Sequence, residues 1–188
     1  MRWLVLYLRS RQVLVSVGTA LACVVGLGVL TGESEGVRLV MAVFAATAVT
    51  AVTATGLAGP DPALERTAAL TWWTRRAAHV VAIGVLAVVL GVVLGPPVAT
   101  EVVVRDAVGL TGLAALGATV LGGALAWCLP MTWTVVASGA LLAGDPVVAP
   151  PLTWLVQPPG TTAAMVAAVV MGVAGLLVYA VRGPRAQR

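Results

Sequence analysis

Lysine is absent from this 188-residue chain, histidine occurs once, cysteine twice, and Asp and Glu together only seven times. Charged residues make up 10% of it and hydrophobic ones 60%, whereas soluble domains carry roughly 25% charge. No water-soluble fold hides that much apolar surface. Without lysine there is no glycine-rich sequence closing on Gly-Lys-Ser/Thr, so a phosphate-binding loop of that type is excluded. Cys23 and Cys128 lie in or beside apolar runs, with neither a metal-ligand spacing nor a disulfide framework around them. All eleven basic residues are Arg, a bias that GC-rich coding sequence produces, and they form short clusters between apolar runs. That distribution excludes a nucleic-acid surface.

What is present is a series of apolar runs, and a bilayer-crossing helix needs roughly 20 such residues. The chain predicts an all-α, polytopic integral membrane protein in which residues 1–188 form a single transmembrane domain. Residues 1–11 (MRWLVLYLRSR) read as a helix lying in the headgroup layer. The first run, 12–30, follows Arg2, Arg9 and Arg11 as a signal peptide would, but continues well past Leu21-Ala22-Cys23 and is read as an uncleaved span. Further spans are expected over 39–57, 77–94, 107–128 and 161–181. The charges Glu101, Arg105 and Asp106 separate the third from the fourth, and Pro130 marks a tight turn. A fifth apolar run, 131–143, would reach only about 20 Å at 1.5 Å per residue and has to be extended or broken. Residues 144–160 (GDPVVAPPLTWLVQPPG), with Trp154 and Gln157, read as an extracellular loop dipping into the membrane surface.

With six spans and both termini in the cytoplasm, nine of eleven arginines face inward, leaving Arg38 and Arg105 outside. This satisfies the positive-inside rule and places the chain in the cell membrane. The spans so drawn carry no ionisable side chain in their central portions, which argues against a proton- or ion-coupled carrier. A rhomboid-type protease would need Ser138 paired with His79, yet His79 lies at the cytoplasmic edge of its span and the glycine expected before Ala137-Ser138-Gly139 is Val136. Small residues recur every fourth position at Gly18, Ala22 and Gly26, at Ala114, Ala118, Gly122 and Ala126, and at Ala164, Ala168 and Gly172, as in close helix packing in lipid.

Residues 59–76 form the most polar segment. Asp61 is a good N-cap and Pro62 suits the first helical position, so a short amphipathic cytoplasmic helix is expected. Leu64, Ala68 and Trp72 line one side of it, Glu65 and Arg66 project elsewhere, and Arg75 and Arg76 follow the tryptophans. Such a helix either rests on lipid or docks a soluble partner.

This layout resembles the membrane subunit (permease) of ABC-2, or type V, ABC transporters. The elements run in the same order: an N-terminal interfacial helix, two spans, a cytoplasmic coupling helix, three spans with a tight turn at Leu129-Pro130, a re-entrant extracellular element and a last span. The resemblance implies an exporter subunit that is not itself an enzyme and binds no cofactor. Asp61, Leu64, Glu65, Arg66, Trp72, Arg75 and Arg76 would contact a separate ATP-binding cassette subunit that carries ATP and Mg. It also implies a second permease copy or a related permease beside this one in the lipid. The alternative is an accessory or scaffolding subunit of a membrane complex.

Overall fold

A computed structural model describes residues 13–30, 34–58, 72–142 and 151–185. The interfacial helix expected over 1–11, the positions Asp61, Leu64, Glu65 and Arg66, and residues 143–150 lie outside the described residues. The described chain forms six α-helices and no strand: α1 (Val13–Val29), α2 (Glu35–Ala54), α3 (Trp72–Leu94), α4 (Thr100–Val120), α5 (Cys128–Leu142) and α6 (Thr162–Arg182). Helices are what an apolar chain must form in lipid, where each backbone N–H and C=O has to be satisfied within its own segment. Five stretches are long and apolar enough to cross a membrane, with α1, of 17 residues, a shorter sixth.

The helix ends follow ordinary capping chemistry. Ser34 precedes α2 and its Oγ accepts from Val37 N–H at 3.3 Å, with Glu35 in the first turn facing the positive end of the helix dipole. A 3-10 turn, Thr55–Leu57, extends α2. Gly183 closes α6 in the left-handed region at φ 71°, its N–H returning to Tyr179 O at 2.8 Å.

The fourth and fifth spans differ from their sequence-predicted limits. α4 begins at Thr100, seven residues before the expected start at 107, and ends at Val120 instead of 128. Glu101, Arg105 and Asp106 therefore belong to the helix and do not separate it from α3. The turn after α4 falls at 121–127, carried by Gly122 at φ 95° and the 3-10 turn Gly123–Leu125. Pro130 does not make that turn; it sits in the first turn of α5, where its missing N–H has no helical partner to lose. α5 thus gains residues at its N-terminal end, and with the 3-10 turn the stretch Gly123–Leu141 is 19 residues long. α3 is unbroken from Trp72, so Trp72, Arg75 and Arg76 form its first turns.

α4 is the axis of the bundle. Fourteen of its 21 residues are buried, and α2, α3, α5 and α6 pack around it, while α1 packs outside on α2 and α3. Its closest neighbour is α6, and glycine sets the approach. A Cβ at Gly112 would fall 2.5 Å from Gly172 Cα, and one at Gly175 would fall 2.7 Å from Gly112 Cα. In lipid such backbone contact replaces the hydrophobic drive that joins helices in water.

Gly175→Val should lower stability by about 3 kcal/mol through overpacking, whereas Gly139→Val, where a Cβ meets nothing within 4 Å, should stay within about 0.5 kcal/mol. Thermal unfolding in mild detergent separates the two; equal melting of both variants would refute the backbone contact.

Candidate functional site

The two bundle ends differ in charge. At one end Arg76 lies against Gly183, Arg185 Nη1 donates to Val120 O at 3.0 Å, and Tyr179 Oη donates to Leu57 O at 2.8 Å. The positive-inside rule expects this basic end on the cytoplasmic side. At the other end Glu101 and the start of α4 meet the segment that joins α5 to α6.

Arg105 sits five residues into α4, about 7.5 Å along its axis, and both it and Asp106 are only 2% exposed. Adjacent residues of a helix point to different sides, yet Arg105 Nε donates to Asp106 Oδ1 at 3.0 Å, so the guanidinium turns across its own helix. Its remaining donors leave the helix altogether. Nη1 donates to Gln157 O at 2.9 Å and Pro158 O at 3.4 Å, and Nη2 to Leu155 O at 3.1 Å. One planar cation thereby satisfies a carboxylate and three carbonyls of a turn that has no helix to satisfy them.

That turn is built to enter the bundle. Val156 N–H closes it on Thr153 O at 3.0 Å, and Gln157 Nε2 donates to Thr153 Oγ1 at 2.8 Å. Trp154 and Leu155 are fully buried, joining Val43, Leu110, Leu113, Ala164 and Ala168 in one core. α4 receives the turn on a single row of residues spaced by four. Glu101 Oε1 accepts Gly160 N–H at 3.0 Å, Arg105 holds the carbonyls, and Gly109 leaves room for the Trp154 ring, whose Cζ2 would lie 2.7 Å from a Cβ there.

Trp154 and Gln157, expected in an extracellular loop that dips into the membrane surface, are buried. The small residues fare differently from one helix to the next. Ala164 and Ala168 line the core beneath Trp154, and Gly172 packs on Val108. Ala114, Ala118, Gly122 and Ala126 are buried, the last two beyond the end of α4. Gly18, Ala22 and Gly26 face outward, α1 packing instead through Ala20 and Val24. At the basic end Arg75 lies 5.5 Å over the Trp72 ring. Ser138 Oγ has no hydrogen-bond partner among the described residues, so the Ser138–His79 pair does not form; His79 lies against Gly56. The Arg105–Asp106 pair went unread as a site. Its signal is the Pro96-Pro97 break followed by Thr100-Glu101, a helix start that places both charges inside the span.

Arg105→Met removes four donated hydrogen bonds and leaves Asp106 buried without its cation, a change that costs about 3–5 kcal/mol. Glu101→Gln, at an exposed position, should cost less than about 1 kcal/mol. Thermal unfolding in detergent reads both, and an Arg105→Met variant that melts with the wild type would contradict the clamp.

No family model matches this chain, and neither a curated protein nor a solved structure matches it.

Proposed function

We propose that this chain is the membrane subunit of an ATP-driven ABC-2-class transporter, in the direction of export, seated in the cell membrane. The observation that carries the reading is the re-entrant turn between α5 and α6. It enters the outer end of the bundle, buries Trp154, Leu155 and Val156, and is held by a charged pair at membrane depth, where ionisable groups mark function by default. The short connection at 121–127 between the fourth and fifth spans and the basic end formed by Arg75, Arg76, Arg182 and Arg185 fit the same layout.

In this reading the turn is an outer plug and Arg105 its latch. The segment 61–76 docks a separate ATP-binding subunit that holds ATP and Mg, and motion imposed there passes along α3, which packs on α4 and α6. Opening the outer side requires the guanidinium to exchange carbonyl acceptors for water. Six spans form half a pathway in this class, so a second copy or a related permease completes it.

The test is gentle extraction of the tagged chain from its native membrane and mass spectrometry of what co-purifies. An ATP-binding subunit should be recovered in stoichiometric amount, and charge reversal by Glu65→Arg with Arg66→Glu should uncouple its ATPase activity while the chain stays in the membrane. Recovery of the chain alone, or with partners that bind no nucleotide, would overturn the transporter reading in favour of an accessory or scaffolding subunit.

A further inference from the structure

The chain does not leave the bundle where α6 ends. Gly183 closes that helix in the left-handed region, and the residues after it fold back onto the end of α4, whose last-turn carbonyls run out of intrahelical donors. Arg185 supplies two. Its backbone N–H donates to Ala118 O and its Nη1 to Val120 O, each at 3.0 Å. The guanidinium also meets the negative end of the α4 dipole, where a cation is favoured. Residues 183–185 therefore form a strap across the basic end of α4, supplied from the end of a different helix.

The strap rests on α3. A Cβ on Gly183 would fall 2.6 Å from Arg76 Cζ, 2.7 Å from Nη2 and 2.8 Å from Nη1. Cζ, the centre of the group, is the nearest of the three, so the guanidinium meets the glycine with its flat face, a stacking that suits Arg and not Lys. Arg76 stands in the first turns of α3, and Arg185 follows Gly183 by two residues. A shift at the start of α3 thus moves the donor that holds α4. Arg185 is exposed, and water can take the place of its bonds to α4. The bonds of Arg105 at the outer end are buried and have no such substitute. Of the two arginines that hold α4, Arg185 is the one placed to let go.

We propose that the 183–185 strap is a releasable latch on the basic end of α4, worked from α3 through Arg76. The coupling is a property of this chain alone and stands apart from the transport reading. Within that reading it carries motion from the docking segment ahead of α3 to the axis of the bundle.

The test is amide hydrogen exchange of the purified chain in mild detergent, read by mass spectrometry in peptides covering 117–126 and 183–188. Leu121 N–H, bonded to Gly117 O at 2.8 Å, reports the end of α4. Arg185→Pro, which removes both donors, should speed exchange at 117–126 by about tenfold, and Arg185→Ala, which keeps the N–H, by about threefold. Arg76→Gln should speed exchange in both peptides, and joining it to Arg185→Pro should add nothing at 117–126. Arg75→Gln removes a cation from the same end, but one stacked on Trp72, and should change neither peptide. Unchanged exchange at 117–126 in Arg185→Pro, no effect of Arg76→Gln there, or full additivity of the two substitutions would each overturn the proposal.

Discussion

A guanidinium placed among apolar helices has to find acceptors inside the protein, and the arrangement at the outer end of this bundle follows from how Arg105 finds them. A single carboxylate, Asp106, takes one N–H. The others need oxygens that no neighbouring helix can spare, because helical carbonyls are already committed to their own segments. A non-helical turn has the opposite shortage, with carbonyls that lack donors. The 153–158 turn and Arg105 therefore complete one another, and neither is stable at this depth alone. Burial of Trp154 over Gly109 and closure of Gly160 on Glu101 secure the same turn on both sides of the cation.

This explains why α4 is the most enclosed helix. It carries the polar row Glu101, Arg105 and Gly109 for the turn on one side, and Gly112 for the backbone of α6 on another. Most of the exposed valines lie on α1, α3, α5 and α6, and among the valines of α4 only Val104 and Val120 are exposed. Asymmetry between the two ends follows too. The basic end is joined by Tyr179 to Leu57 O and by Arg185 to Ala118 O and Val120 O, while the outer end is locked by a connected set that runs through Arg105.

Much of the fold was legible from the sequence because spans are specified by run length and composition. The first, second and sixth helices end within a few residues of where the apolar runs end. The start of α4 is not marked by its apolar run: Arg105 and Asp106 interrupt that run in sequence, yet in three dimensions they pair with one another inside the helix. Pro130 misled in a related way, since proline marks a turn or a first helical turn with the same residue. That residues 144–160 dip inward is a reading the sequence supports, whereas the partners that bury Trp154 and Gln157 are not visible in it. Five prolines in 144–160 announce irregular backbone, but whether such backbone can enter a bundle depends on a donor supplied from 50 residues away. The outward-facing Gly18, Ala22 and Gly26 show the same limit, as spacing identifies a smooth helix face without identifying what covers it.

The latch is tested most directly by the accessibility of the turn it holds. With Cys23 and Cys128 replaced by alanine, Gln157→Cys is exposed to a membrane-impermeant maleimide added from outside, with and without Arg105→Met. If Arg105 seats the turn, the thiol at position 157 stays unreactive on the parent background and is labelled at least about tenfold faster once the guanidinium is gone, the change that a loss of more than about 1.4 kcal/mol would produce. Rapid labelling on the parent background, or the same slow rate in both, would contradict it.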